Sequence, residues 1–242
     1  MWQKGAEKME KTILEKQIEQ FVMESRLNYV SEEEAIAPEY AGLRMYDPPI
    51  WGYGDANDPM FEELKKKEAV GEQFLLPDAW LPDAKSVISF FIPFTDEVKK
   101  SNWTDAAEPS AQWLHARIEG QRFVIAVCDE IQRILKEEGI ISVIPASDPR
   151  FESVTKPDPE RGEKWQDASY TSNWSERHVA FVCGLGTFGL SKGLITEKGI
   201  AGRLGSLIVS ERFEPRKREY TDIYEYCTRC GACIRRCPAG AI

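Results

Sequence analysis

The feature that most constrains this chain is a run of four cysteines near its C-terminal end. Residues 227–238 read C-T-R-C-G-A-C-I-R-R-C-P. This C-x2-C-x2-C-x3-C-P spacing is typical of a loop that coils around an iron–sulfur cluster, because closely spaced thiolates can all turn toward one centre. Zinc sites usually split their ligands into two separated pairs, and disulfide frameworks suit small secreted chains. The run therefore predicts a [4Fe–4S] cluster on Cys227, Cys230, Cys233 and Cys237.

The fourth ligand of this cluster is left open by the sequence. In proteins with two clusters, the fourth cysteine of such a run serves the other cluster. No second run follows Cys237 before Ile242. We therefore expect a further ligand beyond Ile242 and a longer parent protein, in which residues 219–242 begin a ferredoxin-type module.

Charge and composition set limits on location and partners. The chain carries 31 Lys and Arg against 40 Asp and Glu, a net charge of −9, which argues against a large nucleic-acid surface. Basic residues cluster locally at 212–218, where a solvated turn is the simpler interpretation. No apolar run approaches the roughly 20 residues of a membrane span, and the N-terminus does not resemble a signal peptide. We expect a cytoplasmic protein with reduced thiols and no membrane segment.

Hydrophobic periodicity predicts an α+β fold. Residues 35–58 are predicted to be irregular, because they contain several proline and glycine residues. Residues 1–218 are expected to form one domain before the ferredoxin-type module. The predicted helices span residues 11–30, 60–67, 109–138 and 176–183, and the predicted strands span residues 86–92, 140–144 and 207–209.

A glycine-rich stretch precedes the cysteines. Residues 184–189 read G-L-G-T-F-G and match the dinucleotide fingerprint G-x-G-x-x-G, with Glu211 about 20 residues later. That fingerprint needs a strand before the glycines and a helix after them, whereas four more glycines follow, each costing a helix about 1 kcal/mol. A flavin or nicotinamide site stays as an alternative. Glycines at this density also let a backbone lie flat against a large planar ligand.

Several motifs together resemble the superfamily of epoxyqueuosine reductases and reductive dehalogenases. Its members carry a segment E-R-x-A-x-x-A-G-L-G-x-x-G, then L-L-I and G-S-x-x-x-x-x-E, before a ferredoxin module. The corresponding segments here are residues 176–189, 194–195 and 205–208, followed by the cysteine run. The resemblance is clear over about residues 165–242 and loose before that.

The resemblance implies a nitroreductase-like layered domain of sheet and helices that holds a corrinoid. The [4Fe–4S] module would feed electrons to the cobalt of cobalamin, while the protein supplies position and protons. The residues that the resemblance places against the corrinoid are Gly184, Leu185, Gly186, Thr187, Gly189, Gly205 and Ser206.

A proton donor is also implied. Epoxyqueuosine reductases use an aspartate six residues before the glutamate of the E-R motif, and Tyr170 occupies that position here. Reductive dehalogenases use a tyrosine, and a phenol with its ordinary pKa near 10 is protonated at neutral pH and able to donate. The resemblance thus implies that Tyr170 is catalytic; a packing or surface tyrosine is the alternative.

Other residues near the glycines have two interpretations each. His178 is a candidate cofactor contact or a packing residue, while His115, in the middle of a predicted helix, is expected to pack. Cys183 is a buried small residue or a metal ligand. Arg177 and Lys192 are contacts for a phosphate or propionamide of the cofactor, or solvated charges.

The function predicted from these observations is an iron–sulfur oxidoreductase that uses a corrinoid to reduce a small organic substrate. A low-potential donor such as ferredoxin or flavodoxin would supply the electrons, and the acidity of the chain argues against nucleic acid as a partner. One alternative is an electron-transfer or corrinoid-handling protein without substrate chemistry of its own. The other is a flavin or nicotinamide reductase that uses Gly184–Gly189.

Overall fold

The centre of the computed structural model is a four-stranded antiparallel sheet. The structure describes residues 10–103, 108–155, 170–237 and 239–242. Along the sheet the strands follow the order β1 (Ile50–Asp55), β2 (Ser86–Pro93), β8 (Gly202–Val209) and β3 (Ser142–Val143). The two long central strands pair from Ser86 opposite Val209 to Pro93 opposite Gly202. Two-stranded pairs form between β4 (Ser153–Val154) and β5 (Thr171–Ser172), and between β6 (Gly186–Phe188) and β7 (Leu194–Thr196).

Helices cover both faces of the sheet. Strand β2 is buried along its whole length, because successive side chains point to opposite faces and each face has its own apolar cluster. On one face Ile88, Phe90 and Ile92 pack with helices α1 and α5. On the other face Val87 and Phe91 pack with Trp174 and helix α6. The helices are α1 (Lys11–Glu24), α2 (Met60–Glu63), α3 (Pro77–Trp80), α4 (Asp96–Ser101), α5 (Ala111–Glu137), α6 (Glu176–Val182) and α7 (Ala232–Arg236).

The mixed α and β composition is confirmed, and the central strand and long helix lie where the sequence predicts them. Helix α5 begins after Ser110, whose hydroxyl accepts a hydrogen bond from the backbone N–H of Trp113, and ends just before Gly139, which adopts a left-handed conformation. The predicted strand at 140–144 is reduced to Ser142–Val143. The nitroreductase-like layering and the domain boundary at residue 218 stay predictions.

One element was missed, because residues 35–58 are not irregular throughout. Strand β1 lies within them, and its glycines are not chain breakers. A Cβ on Gly52 would lie 2.7 Å from the backbone oxygen of Cys183, and one on Gly54 would lie 3.0 Å from the sulfur of Cys183. The glycines therefore let the end of α6 pack closely on the sheet. Among the described residues, no helix is long and apolar enough to cross a membrane.

Candidate functional site

The four cysteines of the run lie in a surface segment, residues 221–237, that we call the cysteine segment. Their thiols are free, and all four residues are partly or fully exposed. Arg229 and Gly231 both adopt left-handed backbone conformations, which turn the chain sharply between the cysteines. Helix α7 follows from Ala232 to Arg236.

Backbone N–H groups are directed at two of the sulfurs. The N–H of Ala241 lies 3.3 Å from the sulfur of Cys237. Hydrogen bonds from backbone N–H groups lower the pKa of both Cys230 and Cys237, and the Thr228 side chain adds to this at Cys230. Such donors favour the thiolate, the form that binds metal. Within the described parts of the chain, no three His, Cys, Asp or Glu side chains lie close enough to hold a metal ion, so the four thiols would have to draw together around a cluster.

The glycine-rich stretch forms a buried hairpin, residues 184–196, that we call the glycine hairpin. Helix α6 leads into the glycines, and strand β7 rather than a helix follows them, so the strand–turn–helix context of the dinucleotide fingerprint is not met. A Cβ on Gly186 would lie 2.0 Å from the backbone oxygen of Ile195, and one on Gly184 would lie 3.2 Å from the Arg216 side chain. The chain's own atoms thus occupy the space next to these glycines, and they offer no open bed for a planar ligand on that side.

The glycine hairpin is joined directly to the cysteine segment. The backbone N–H of Tyr226 donates to the Thr187 hydroxyl at 2.9 Å, and the N–H of Phe188 donates to the carbonyl of Ile223 at 2.6 Å. Thr187 is fully buried, so its hydroxyl is shielded from water at this bond. The first cysteine of the run is therefore one residue away from a fixed point on the domain.

A row of aromatic rings extends this connection into the domain. The ring of Tyr226 meets Tyr220 edge-on at 5.7 Å, and Tyr220 stacks on Phe181 at 5.1 Å. The hydroxyl of Tyr220 also donates to the carbonyl of Phe181. Phe181 contacts Phe188 of the hairpin, which contacts His178 at 4.9 Å. The rings hold the cysteine segment, the hairpin and α6 as one packed unit.

His178 is a half-buried neutral base in this unit. Its Nδ1 lies 2.7 Å from the Ser175 hydroxyl. Burial, together with the nearby positive charges of Arg177 and Lys192, lowers the pKa of His178 to about 4. This imidazole is uncharged at neutral pH, and among the described residues its one hydrogen-bond partner is the Ser175 hydroxyl.

The remaining predicted site residues lie in different surroundings. The Tyr170 side chain is 72% exposed, and no contact that the structure describes joins it to the hairpin or the thiols. Ser206 is buried and accepts a hydrogen bond from the Trp174 indole at 3.0 Å. A Cβ on Gly205 would lie 2.4 Å from the Phe90 ring. The last two, Leu185 and Gly189, are buried within the hairpin.

His115, which was expected to pack, and Cys183, for which packing was one of two interpretations, are both buried. Buried His115 accepts a hydrogen bond from the N–H of Ile36 at 3.2 Å and lies 3.1 Å from the Glu119 carboxylate. The thiol of Cys183 lies 3.6 Å from the carbonyl of Val87, and burial raises its pKa. Cys183 is therefore a core residue rather than an available thiolate.

Glu176, the glutamate of the E-R motif, is a residue to which the sequence analysis gave no role. It is the first residue of α6, yet both carboxylate oxygens are buried, and among the described residues neither has a partner that meets hydrogen-bond geometry. Burial raises its pKa from 4.5 to about 7, and the nearby Ser206 hydroxyl and Trp174 indole only partly offset this rise. A glutamate at a helix start usually faces solvent, so sequence alone gives no sign of this burial.

The linker before the cysteines, residues 211–220, is fastened to the domain by three arginines. Arg212 pairs with Asp55, and Arg216 donates to the carbonyl of Trp51 at 2.9 Å. Arg218 pairs with Asp58 and donates to the carbonyl of Val182 at 2.9 Å. The basic cluster at 212–218 is therefore not a solvated turn.

Replacing Arg218 with glutamine should loosen this linker. The variant loses a half-buried ion pair and a charged hydrogen bond, so we expect the free energy of unfolding to fall by about 2 kcal/mol. Urea denaturation measures the loss, and limited proteolysis should show faster cleavage within 211–220. Lys217→Gln is the matched control, since Lys217 is exposed in the same linker. Equal effects of the two substitutions would contradict the prediction.

Comparisons with known proteins support the cluster. A family model described as a 4Fe-4S binding domain matches residues 220–242. No curated protein matches the chain. Solved structures that match include epoxyqueuosine reductase from Bacillus subtilis, at 18% identity and a TM-score of 0.46 over 79% of this chain and 48% of that one. The enzyme from Streptococcus thermophilus matches at 17% identity and a TM-score of 0.41, over 79% and 49%.

A third match corrects the prediction about partners. This epoxyqueuosine reductase structure, at 21% identity and a TM-score of 0.48 over 79% of this chain and 48% of that one, contains an epoxyqueuosine-modified tRNA stem loop. The prediction of a small-molecule substrate, with nucleic acid unlikely because the chain is acidic, is therefore wrong. Net charge describes a whole chain, whereas nucleic-acid binding depends on the local field at one surface. The present chain spans about half the length of these matched structures.

Proposed function

We propose that this chain is the electron-transferring part of an iron–sulfur oxidoreductase. The observation that carries the proposal is the match of residues 220–242 to a 4Fe-4S binding domain, in a segment packed directly against the domain. Thr187 accepts the N–H of Tyr226, next to the first cysteine. This anchor holds the chain at Tyr226, and so the position of Cys227, against the domain.

The residues of the cysteine segment would each have a defined task. Cys227, Cys230 and Cys233 supply thiolates, and Cys237 is a fourth candidate ligand whose place is open if the parent protein continues. A bound [4Fe–4S] cluster supplies one-electron transfer at low potential. Hydrogen bonds from backbone N–H groups to the sulfurs stabilise the negative charge of the thiolates.

The proton for a reduction needs a source within the protein. Tyr170 is the proposed donor on the grounds of the resemblance, and its exposed ring is accessible to a substrate. His178 is a poor proton donor, because an imidazole with a pKa of about 4 is not in its protonated, positively charged form at neutral pH. Tyr170→Phe should therefore abolish turnover while leaving the iron content unchanged.

Cluster assembly tests the proposal most directly. The chain is incubated anaerobically with ferrous iron and sulfide, and bound iron, acid-labile sulfide and the electron paramagnetic resonance spectrum after dithionite reduction are measured. We expect the spectrum of a [4Fe–4S] cluster, and we expect Cys227→Ser, Cys230→Ser and Cys233→Ser each to abolish it. Loss of the spectrum in Cys237→Ser would show that Cys237 ligates this cluster, and an unchanged spectrum would show that it does not.

Cys128→Ala is the matched control, because Cys128 is a buried thiol on α5, outside the run. This variant should assemble the same cluster as the wild type. Binding of zinc in preference to iron and sulfide, or loss of the cluster in the control alone, would overturn the proposal.

Use of a corrinoid is the finer proposal, and it is supported by the resemblance. Because the glycine hairpin offers no open bed on its Cβ side, we assign no chemical step to a corrinoid. Anaerobic mixing with cobalamin tests it: a base-off shift in the visible spectrum supports binding, and an unchanged spectrum opposes it. Flavin bands in the purified protein would instead favour a flavin reductase.

The reaction is tested with the substrate seen in a matched structure. An epoxyqueuosine-modified tRNA stem loop is incubated with the cluster-loaded protein and a chemical reductant, and the base is analysed by mass spectrometry. Loss of one oxygen from the base would assign the same reduction to this chain. Cluster assembly without this conversion would support electron transfer but not that substrate.

A further inference from the structure

Two cations, Arg177 of α6 and Lys192 of the glycine hairpin, have no acidic partner among the residues that the structure describes. Arg177 in α6 donates one guanidinium N–H to the carbonyl of Lys192 at 3.1 Å. Lys192 in turn donates from Nζ to the Tyr224 hydroxyl at 2.9 Å and lies over the same ring. These bonds fix both charges beside the cysteine segment and leave the other N–H groups of each side chain available.

Arg177 and Lys192 differ in this respect from the three arginines of the linker. Acids outnumber bases in this chain, 40 to 31, and the three linker arginines each have an acidic partner. Arg177 and Lys192 pair with no Asp or Glu in the described residues. Burial is the main cause of the lowered pKa of the half-buried His178 nearby, and the positive charges of Arg177 and Lys192 add to it.

The backbone at Lys192 adopts a strained conformation. Its φ is +61°, a left-handed conformation that costs a residue with a Cβ more than it costs glycine. Gly189 and Gly193 lie on either side of Lys192 in the same turn. The position that needs the left-handed conformation nevertheless carries a lysine instead of a glycine. Strain of this kind tends to mark functional positions.

We propose that Arg177 and Lys192 form a binding site for a phosphate group. The Arg177 guanidinium is bonded to the backbone of the residue that carries the ammonium. A guanidinium and an ammonium together suit a phosphate, whose oxygens accept several charged hydrogen bonds at once. The Tyr224 hydroxyl, which lies 2.9 Å from the Lys192 ammonium, offers one more polar group to a ligand. The ligand would lie beside the residues that precede Cys227. The site does not depend on the cluster, so it stands or falls separately from the proposed function.

Titration with two probes tests the site and identifies the class of phosphate. Inorganic phosphate represents a terminal phosphate, and dimethyl phosphate represents the phosphodiester of a nucleic-acid backbone. The chain has two histidines, so proton NMR with a His115→Gln variant assigns the His178 resonance. A bound anion offsets the two positive charges, and the pKa of His178 should therefore rise as either probe saturates the site.

Substitutions separate this site from general charge effects. Arg177→Gln and Lys192→Gln should each weaken binding about tenfold, the loss expected for one charged hydrogen bond. Lys198→Gln is the matched control, since Lys198 is an exposed lysine just beyond strand β7, and its affinity should equal that of the wild type. Lys192→Gly should also weaken binding about tenfold and yet melt at a higher temperature, because it relieves the strained backbone.

Two results would overturn the proposal. One is the absence of any saturable His178 shift with either probe. The other is an equal loss of affinity in Lys198→Gln and Lys192→Gln, which would reduce the effect to net charge. Saturation by inorganic phosphate alone assigns a terminal phosphate, and saturation by dimethyl phosphate assigns a phosphodiester; both results support the site.

Discussion

Replacing Gly186 with alanine is expected to lower the free energy of unfolding by about 3 kcal/mol, the upper end of the usual cost of overpacking. The new methyl carbon would lie 2.0 Å from the backbone oxygen and 2.8 Å from the backbone carbon of Ile195. These atoms belong to the paired strand β7, so no side-chain rotation relieves the overlap. Urea denaturation followed by circular dichroism measures the loss.

Gly189→Ala is the matched control, because Gly189 belongs to the same G-x-G-x-x-G pattern. Its nearest neighbour would be the terminal Cδ1 of Ile195 at 3.2 Å, which can rotate away. We expect a loss below about 1 kcal/mol. Equal losses in the two variants would show that the pattern as a whole, rather than the contact with strand β7, sets the requirement for glycine.

Replacing Glu176 with glutamine should stabilise the protein at alkaline pH by about 3 kcal/mol, since each unit of pKa difference is worth about 1.4 kcal/mol. The folded protein raises the pKa of this carboxyl from 4.5 to about 7, so it binds the proton more tightly than the unfolded chain does. The Glu176 carboxyl therefore contributes most to the free energy of unfolding below pH 4.5, and this contribution is lost as the pH rises to about 7. Glutamine keeps the shape without the charge.

Urea denaturation at pH 5 and pH 8 tests this prediction. The gain from Glu176→Gln should be large at pH 8 and small at pH 5, where the wild-type carboxyl is mostly protonated in the folded state. Glu19→Gln on the exposed face of α1 controls for the change in net charge. A gain that does not vary with pH, or an equal gain in the control, would show that the Glu176 carboxyl is not neutral in the folded protein.

Sequence patterns predicted the elements whose periodicity is local. Strand β2 and helix α5 follow from a continuous apolar run and from helical spacing bounded by Ser110 and Gly139. The cysteine run likewise needs no long-range information, and a family model matches it. Such features depend on residues that are close in sequence, so reading along the chain is enough to find them.

The features that escaped prediction depend on contacts between distant residues. In the sequence, Gly52 and Gly54 indicate an interruption of regular secondary structure. The close approach of Cys183, at the end of α6, explains why glycines stand inside a strand. Glu176 is buried because α6 packs its first residue near Ser206 of β8. The anchor between Thr187 and Tyr226 joins residues 39 positions apart. None of these pairings has a spacing that a sequence motif records.

The route of the linker has a consequence for how this protein behaves at high concentration. Strand β1 is at the edge of the sheet, and an open edge invites pairing with another molecule and aggregation. The backbone N–H of Arg216 donates to the carbonyl of Tyr53 at 2.8 Å and thereby covers part of that edge. The linker that leads to the cysteines thus also hinders the pairing of strand β1 with a strand of another molecule.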